Sequence, residues 1–479
     1  MSYFVKAVYS KQDITDYTGN PFIEALPKIW DESEVYELLD DSFVISNEEL
    51  TQPYHIRIHN IQKILDVFLP LNHHFDLQYK ISVLIRRGYV GRNPLNAEFT
   101  KDINNGIVRF KNNDFKARKY QTIAKTARCL SLIGISGIGK SYTLAKILSG
   151  YEQVIFHEKY NLYQVVYLHV ECPSKSTKQL CIKILVALDN ALGTNYSTIL
   201  GGKNYNNIAT DPLKVKVAQI CMIHGVGLLV IDEIQNLSVK GSGGKDEMLN
   251  FFVDLENSIG IPIVLVGTPK AMGIINHNFR QARRSSGIGS ILWDRFEIGE
   301  MWQDFIEQML YYQWFIKPIN YSKELSNLIY HHTQGITDLV VKLLLLSQLF
   351  ALASKKEYLD LNIIDKTAKK YFKPMDDFLN ALRSGNPDLI RQYDDIKPLN
   401  IDNAISDLQV LASNIDLKKM REKSKNTKTA KPKISTDIES TKKDSPVVLP
   451  DYLLEENACY NDYIQSGLVK DPREFAGIV

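Results

Sequence analysis

Residues 134–141 read Gly134-Ile135-Ser136-Gly137-Ile138-Gly139-Lys140-Ser141, and they fit the pattern G-x-x-x-x-G-K-[S/T] at every fixed position. The five residues before this stretch are apolar except for Ser131, as in a buried parallel strand. Residues 142–148 carry apolar side chains at helical spacing. Strand, glycine loop and helix therefore follow one another as a phosphate-binding loop requires, which favours that interpretation over a chance glycine-rich loop.

The residue types of this loop suit phosphate chemistry. Glycines let backbone N–H groups turn inward around a phosphate, and the next helix points its positive dipole end at it. We predict that Lys140 reaches the β- and γ-phosphates of ATP and that the Ser141 hydroxyl ligates Mg²⁺. The predicted nucleotide-binding residues are Gly134, Ser136, Gly137, Gly139, Lys140, Ser141 and Tyr142.

A second chemical motif is the apolar segment 227–231, which ends in the adjacent carboxylates Asp232 and Glu233. We predict that Asp232 helps Ser141 to hold Mg²⁺ and that Glu233 polarises the attacking water as a general base. A second acid directly after the first favours hydrolysis over transfer to a bound acceptor. The alternative is a core strand that ends in a solvated acidic turn.

Length and composition are those of a soluble protein with two or three domains: 479 residues, 44% hydrophobic, 23% charged and a net charge of +2. The five cysteines are scattered, and no C-x-x-C or H-E-x-x-H occurs, so neither a disulfide framework nor a zinc site is predicted. A reducing cytoplasm fits this pattern. No signal-like N-terminus is present, and the apolar segment Leu339–Ala353 is interrupted by polar residues, so we interpret it as a core helix.

Charge is distributed unevenly along the chain. Residues 31–49 hold eight Asp or Glu and no Lys or Arg, whereas residues 418–433 hold eight Lys or Arg and one acid. Both segments are candidate partner-binding regions, although a solvated surface also explains such runs. Residues 418–447 are predicted to be disordered, and residues 447–479 have the composition of a segment that folds on a partner.

The chain order of helix and strand patterns predicts an α/β fold with a doubly wound parallel sheet. The predicted strands are 129–133, 163–170, 227–231, 261–266 and 295–298, with helices at 177–192, 211–224 and 245–258 between them. Residues 1–50 are expected to form an extended arm or loose cap, followed by helices at 56–69 and 76–87, the second stopped by Gly88. The predicted domains are an acidic arm with a small helical domain (1–110), a nucleotide-binding core (111–300), a helical lid (301–375), a helical extension (376–417) and a basic tail (418–479).

This order of motifs resembles an AAA+ ATPase, and shorter segments resemble the TnsC branch of transposition regulators from Tn7-like transposons, which are relatives of the TniB proteins. The resemblance covers roughly residues 55–372. The segments that carry it are 88–94 (GYVGRNP), 267–271 (GTPKA), 281–284 (QARR), 293–296 (WDRF) and 335–338 (GITD).

The resemblance implies further site residues. Thr268 would be the sensor at the end of the fourth strand, although it could also cap the turn before Pro269. Arg295, or its rivals Arg283 and Arg284, would be an arginine finger that completes a neighbouring subunit's site, unless it forms a surface salt bridge. The lid helix begins without the arginine that many AAA+ proteins carry there; Lys342 is the nearest cation, which suggests slow, switch-like hydrolysis.

The resemblance also implies a bacterial cytoplasmic protein that assembles on duplex DNA as a ring or filament and contacts its backbone rather than its sequence. The C-terminal tail would bind transposase subunits, and the N-terminal region a target-selection protein. Two alternatives stay open: a replication initiator or helicase loader, and a signalling scaffold ATPase that binds no nucleic acid. The predicted DNA contacts are Lys175, Ser176, Thr177, Lys178, Lys240 and Lys245, each of which could instead belong to a solvated face.

Overall fold

The computed structural model describes residues 4–112, 129–174, 176–201, 209–238, 251–252, 260–272, 289–386, 389–390 and 401–413. The chain divides into the units Met1–Asn414 and Ile415–Val479, and every described residue belongs to the first. Several predictions lie outside the described residues: Lys175, Lys240, Lys245, Arg283, Arg284, most of the helix at 245–258, and the tail 418–479.

The strands of the described residues form two sheets. In chain order they are β1 (Val5–Lys6), β2 (Cys129–Gly134), β3 (Val154–His157), β4 (Leu162–Val165), β5 (Tyr167–Glu171), β6 (Leu228–Asp232), β7 (Ile263–Gly267) and β8 (Gly289–Trp293). The central sheet has the order β5–β6–β7–β2–β8, and each neighbouring pair is parallel.

Burial explains this order. The inner strands β2, β6 and β7 are buried at every position, which is why they appear in the sequence as continuous apolar runs. The edge strands β5 and β8 alternate between buried and exposed positions. Because all five strands run the same way, Gly134, Asp232, Gly267 and Trp293 end at one edge of the sheet, where open α/β sheets bind ligands.

Two strand predictions are wrong in position. The predicted strand 163–170 is divided at Val166, because β4 pairs with β3 in a small sheet of order β1–β3–β4 whereas β5 pairs with β6 in the central sheet. The predicted fifth strand at 295–298 is not a strand; β8 ends at Trp293 and supplies the edge pairing with β2 instead. Arg295 therefore follows the fifth strand and does not begin it.

Helices precede the central sheet in the sequence, connect its strands and follow it. They are α1 (Pro21–Glu24), α2 (Glu32–Leu39), α3 (Asn47–Thr51), α4 (Tyr54–Ile61), α5 (Asn72–Val90), α6 (Ala97–Lys111), α7 (Lys140–Ser149), α8 (Thr177–Leu192), α9 (Tyr196–Gly201), α10 (Thr210–Ile223), α11 (Glu300–Met309), α12 (Lys323–Thr333), α13 (Thr337–Ala353), α14 (Leu361–Tyr371), α15 (Asp376–Ser384) and α16 (Ile401–Ser413).

The N-terminal segment is helical and packed, so the expectation of an extended arm or loose cap is wrong. The Phe22 ring is 1% exposed and lies 5.2 Å from the ring of Tyr89 in α5. The Tyr89 hydroxyl donates a 2.7 Å hydrogen bond to the carbonyl of Gly225, just before β6. Burial of these large aromatic rings, which the polar composition of the segment conceals, holds it against the nucleotide-binding core.

Gly88 does not stop its helix, contrary to prediction, because α5 continues to Val90. A Cβ at Gly88 would lie 2.4 Å from the Pro262 ring that precedes β7. The glycine therefore allows α5 to pack closely on the sheet. Gly88 is needed for space and not for an unusual backbone conformation.

The helices α11–α14 follow the core in the region 301–375 that was predicted as a helical lid, and α15 follows in the region predicted as a helical extension. The name lid is kept below for α11–α15. Its central helix α13 is almost entirely buried, which confirms Leu339–Ala353 as a core helix. Within the described residues, no single helix is long and apolar enough to cross a bilayer; α12 and α13 reach that length only together, and they are bent by 113°.

Candidate nucleotide-binding site

The loop between β2 and α7 has the backbone that its glycines predict. Gly137 and Gly139 have φ values of 84° and 87°, a left-handed conformation that side chains disfavour. A Cβ at Gly134 would lie 2.5 Å from both the Trp293 carbonyl oxygen and the Ile138 side chain. Glycine is therefore required here by conformation at two positions and by space at a third.

Lys140 is buried at the start of α7. Its Nζ donates hydrogen bonds to the carbonyl oxygens of Gly134 (2.7 Å) and Ile135 (2.8 Å). These bonds place the ammonium group inside the loop, where a phosphate would be bound. Contact of Lys140 with the β- and γ-phosphates stays a prediction.

Asp232 lies at the end of β6, next to Ser141 and His169. Burial alone would raise the pKa of this carboxyl, but hydrogen bonds from His169, from Ser141 and from the Glu233 backbone hold the pKa below its usual value. The His169 Nε2 atom lies 3.4 Å from Asp232 Oδ2. Asp232 is thus an ionised, oriented carboxylate beside a hydroxyl, and this donor set suits Mg²⁺.

Glu233 is exposed and lines a cavity over the phosphate loop, which is described below. Its φ of 56° is unusual for a residue with a side chain, and its backbone N–H donates a 2.7 Å bond to Asp232 Oδ1. This left-handed conformation is strained for a residue with a Cβ atom. Such strain is common at functional sites.

Thr268 follows β7 and is 3% exposed. Within the described residues its Oγ1 atom is buried without a hydrogen-bond partner, an arrangement that costs about 1–3 kcal/mol. Thr268 is not among the described residues that line the cavity over the phosphate loop, so the sensor role of its hydroxyl stays a prediction.

Sequence reasoning missed Gln235 and His169. The Gln235 side chain contacts both Glu233 and the backbone of Thr268, and His169 contacts Asp232 from the neighbouring strand. A polar residue two positions after a paired acidic motif was the available signal for Gln235. No local signal pointed to His169, because only strand pairing brings it to β6.

The cavity over the phosphate loop has a volume of about 360 Å³. One part of its apolar wall comes from the N-terminal region and consists of Leu65, Val67, Phe68 and Leu69. Another part comes from the C-terminal helices and consists of Phe305, Met309 and Val341. The Phe68 ring stacks on Tyr142, with centroids 5.5 Å apart and planes 28° apart. The cavity therefore has a polar end for phosphates and an apolar end that suits a planar base.

The lid closes the cavity from the other side through the start of α13. The Thr337 hydroxyl and the Asp338 backbone N–H both donate to the Gly137 carbonyl, each at 3.1 Å. Lys342, the nearest lid cation in the sequence, is 2.5 Å from Asp338 Oδ2 and so is engaged within its own helix.

Arg295 is held by the lid of its own chain. Its guanidinium donates to the Gln334 side chain (2.9 Å) and to the carbonyl oxygens of Gln334 (3.3 Å) and Leu382 (3.1 Å). It lines a separate cavity of about 690 Å³ that also contacts Ile138 of the phosphate loop.

The predicted DNA contacts that the structure describes lie at the start of α8. The Ser176 hydroxyl caps this helix by accepting a 3.3 Å bond from the Gln179 N–H, and Lys178 is half-buried. The Thr177 side chain is only 3% exposed. Its predicted contact with DNA does not fit this burial, because the side chain packs inside the protein.

Comparison with known proteins agrees with this geometry. A family model described as "AAA domain" matches residues 122–275. No protein of curated function matches the chain.

The chain also matches solved structures, three of which follow. The Aeropyrum pernix ORC2 protein in ADPNP–ADP complexes is 13% identical, over 67% of this chain and 87% of that one, with a TM-score of 0.35. The Aeropyrum pernix ORC1 protein in complex with DNA is 12% identical, over 65% and 83%, with a TM-score of 0.37. The Thermotoga maritima RuvB Holliday junction branch migration motor is 16% identical, over 57% and 68%, with a TM-score of 0.30.

The phosphate loop, the acidic strand beside it and the parallel sheet define a P-loop nucleotide-binding protein. The match over residues 122–275 specifies it further: the chain has an AAA+ P-loop fold and contains an AAA-type ATPase domain. Helices precede and follow this core in the sequence.

Proposed function

We propose that this protein is an ATP-dependent regulator of DNA transposition that oligomerises on duplex target DNA. It links a target-selection factor to the transposase, and ATP hydrolysis disassembles the complex. The observation that carries the ATPase part is the placement of Asp232, Glu233 and Thr268 at neighbouring strand ends beside Lys140. The transposition part rests on the resemblance of the segments 88–94, 267–271 and 335–338.

Each site residue has a separate role in the proposed hydrolysis. Lys140 and the loop N–H groups bind the phosphates, and Glu233 accepts the proton of the attacking water. The orphaned Thr268 hydroxyl binds the γ-phosphate or that water. Ser141 and Asp232 hold Mg²⁺, which neutralises charge on the phosphate oxygens when bound.

The lid contacts favour a slow switch over a motor. The start of α13 supplies a hydroxyl and a backbone N–H to Gly137, and its nearest cation, Lys342, is already paired with Asp338. The positive charge that a lid arginine would hold beside the γ-phosphate must therefore come from a residue outside this lid. A neighbouring subunit is the proposed source, so hydrolysis depends on assembly.

Arg295, Arg283 and Arg284 are the proposed donors of this trans charge. In the single chain Arg295 is hydrogen-bonded to Gln334 and Leu382, so its use as a finger requires the neighbour to replace those bonds. Lys178 and Ser176, together with Lys175, Lys240 and Lys245, are proposed to contact the DNA backbone. Such contacts weaken steeply as salt rises.

The two charged terminal regions are the proposed partner sites of this cytoplasmic bacterial protein. The acidic segment 31–49 meets the target-selection protein, and residues 418–479 engage the transposase. Deletion of 418–479 is expected to abolish transposase recruitment while ATP-dependent DNA binding persists. Retained recruitment would contradict the assignment of this tail.

The decisive experiment is electron microscopy of the protein with duplex DNA and a non-hydrolysable ATP analogue, with Lys140→Ala as the control. Rings or filaments that need DNA, analogue and Lys140 are the expected result. Analogue binding without assembly on DNA would contradict the proposal and favour a protein-only scaffold. Capture of a replicative helicase instead of a transposase in a pull-down would favour a helicase loader.

A further inference from the structure

Gln235 lies in the 3-10 turn Ile234–Ser238, directly after the strand that carries Asp232. Gln235 is only 5% exposed, which is uncommon for a residue whose side chain has two polar groups. A buried amide of this kind must satisfy both its oxygen and its nitrogen to avoid a desolvation cost.

The two ends of the Gln235 amide contact two different parts of the site. Its Nε2 donates to Glu233 Oε2, and its Oε1 accepts a 3.1 Å bond from the Thr268 backbone N–H. One planar group therefore joins the proposed general base to the residue that carries the orphaned hydroxyl. Only a side chain with a donor and an acceptor at this distance can make both bonds.

The end of β7 is shaped to admit this amide. A Cβ at Gly267 would lie 2.9 Å from Gln235 Oε1 and 2.6 Å from the Ile234 side chain. The absence of a side chain at Gly267 thus leaves the space in which Gln235 reaches the Thr268 N–H. This is a second observation, independent of the hydrogen bonds, that the contact is built into the fold.

Glu233 needs such a support. Its carboxylate is exposed at the rim of the cavity, and a glutamate side chain has enough rotamer freedom to leave the reactive geometry. A misplacement of about 1 Å at a reacting group can lower a rate about a hundredfold. A hydrogen bond from a buried, fixed amide restricts the carboxylate to one orientation.

We propose that Gln235 is a positioning residue for ATP hydrolysis, holding the Glu233 carboxylate in its reactive orientation and linking it to the end of β7 at Thr268. The inference rests on the proposed ATPase function and adds a residue to it. Because the link runs through the Thr268 backbone, a shift of β7 when Thr268 binds the nucleotide moves the base with it. Glu233 and Thr268 then move together when the nucleotide binds.

Three variants of the full-length chain test this inference. Gln235→Met keeps length and volume but loses both bonds, and Gln235→Glu keeps the acceptor for Thr268 but sets a carboxylate against Glu233. Asn236→Leu is the matched control, because Asn236 is in the same turn and its amide donates to the Cys172 carbonyl, at 3.1 Å, instead of to the site. The readouts are kcat, KM, the Kd of a fluorescent non-hydrolysable ATP analogue, and the pH profile of kcat.

Gln235→Met is expected to lower kcat about tenfold to a hundredfold, with the analogue Kd unchanged within about twofold. Gln235→Glu is expected to lower kcat at least as far. It also moves the acid limb of the pH profile to higher pH, because a neighbouring negative charge disfavours ionised Glu233. Asn236→Leu is expected to keep the wild-type kcat.

Each other outcome decides against the inference. Wild-type kcat in both Gln235 variants would overturn it, and so would an equal loss in Asn236→Leu, which would assign the effect to stability of the turn. A normal rate in Gln235→Glu with a low rate in Gln235→Met would show that only the hydrogen bond from the Thr268 backbone to Gln235 matters, and that the bond to Glu233 does not. Absence of hydrolysis by the wild type, with and without DNA, would instead overturn the proposed function, and this inference with it.

Discussion

The Thr337 hydroxyl, at the start of the lid helix α13, donates a 3.1 Å hydrogen bond to the carbonyl oxygen of Gly137, 200 residues earlier in the phosphate loop. The Asp338 backbone N–H bonds the same oxygen. These two hydrogen bonds join the lid directly to the phosphate loop. This contact is a direct route from the bound phosphates to the lid.

Loss of this hydroxyl is expected to loosen the lid. Thr337→Val keeps the shape of the side chain but removes a bond worth about 0.5–1.5 kcal/mol. We expect a fluorescent ATP analogue to dissociate about twofold to tenfold faster in a stopped-flow chase. Thr367→Val is the control, because the Thr367 hydroxyl bonds the Ile363 carbonyl within α14. An unchanged rate in Thr337→Val would show that lid docking does not retain the nucleotide.

Glu233→Gln is expected to abolish most hydrolysis and leave nucleotide binding intact. Loss of a general base lowers a rate about a hundredfold to ten-thousandfold, while the loop that binds the phosphates is unaltered. The measurements are phosphate release and the Kd of the ATP analogue. Glu171→Gln is the control, because Glu171 lies opposite Asp232 at the same edge of the sheet but is exposed and paired with Lys183. Equal rates in wild type and Glu233→Gln would remove Glu233 from the mechanism.

Thr268→Val is expected to raise stability and lower hydrolysis together. The variant removes a buried hydroxyl that has no hydrogen-bond partner in the described part of the chain, and it keeps the shape of the side chain. The free energy of unfolding should therefore rise by about 1 kcal/mol. Hydrolysis should fall because the proposed sensor is lost. Urea unfolding and steady-state phosphate release measure the two effects.

Ser347→Ala separates the two effects, because Ser347 Oγ in the core of α13 is also buried and has no hydrogen-bond partner among the residues that the structure describes. We expect this control to become more stable while its hydrolysis stays at the wild-type rate. A stabilised Thr268→Val with full activity would show that the hydroxyl has no catalytic use.

Gly88→Ala is expected to destabilise the protein although alanine favours helix. The new Cβ meets the Pro262 ring at 2.4 Å, and overpacking of this kind costs about 1–3 kcal/mol. Gly106→Ala in α6 is the control: its Cβ meets the flexible end of Met222 at 3.1 Å, and the helix gains up to about 1 kcal/mol. Urea unfolding should show a lower free energy of unfolding for Gly88→Ala and a higher one for Gly106→Ala. A neutral Gly88→Ala would mean that α5 and β7 can separate without cost.

Acid is expected to destabilise the protein through buried histidines. Burial, with a smaller effect of His73, lowers the pKa of His74 to about 3, whereas an unfolded histidine has a pKa of about 6.5. As pH falls below about 6.5, the unfolded chain binds a proton that the folded chain excludes. Stability therefore falls, by about 1.4 kcal/mol per pH unit for each such histidine, until the pH approaches the folded pKa.

His74→Gln should reduce this dependence on pH. His74 Nδ1 accepts a 3.0 Å bond from the Leu71 N–H at the start of α5, and glutamine is a favoured residue for that role. Urea unfolding between pH 7 and 5 should show a shallower slope in the variant, with similar stability at pH 7. An unchanged slope would show that the acid sensitivity comes from other groups.

Much of the nucleotide site was predictable because its signals are local. The loop 134–141, the helix after it and the acidic strand end each depend on spacing within about ten residues. The start of α8 at Thr177 and its end at Leu192 also match the prediction, since a helix of this kind is defined by its own period and caps. The inner strands were recognisable because burial on both faces makes them continuously apolar.

The errors arise where distant segments decide the outcome. The break at Val166 depends on which sheet each half of the segment pairs with, and the continuation of α5 through Gly88 depends on Pro262, far along the chain. Glycine is a helix stop in isolation and a packing residue in contact with a sheet. The role of Arg295 as a trans finger stays a prediction, as do the DNA contacts and the domain boundaries.

The sequence by itself was enough to predict the residues of the candidate site, because the chemistry expected of Lys140, Ser141, Asp232 and Glu233 is contained in short motifs. Only the tertiary structure decided what surrounds them. The Phe68 wall of the cavity, the docking of Thr337 on Gly137 and the link from Gln235 to Thr268 each join residues that no local spacing relates. Parallel strands bring their ends to one edge only after the chain has crossed over between them, so these contacts exist in the fold and not in any stretch of the sequence.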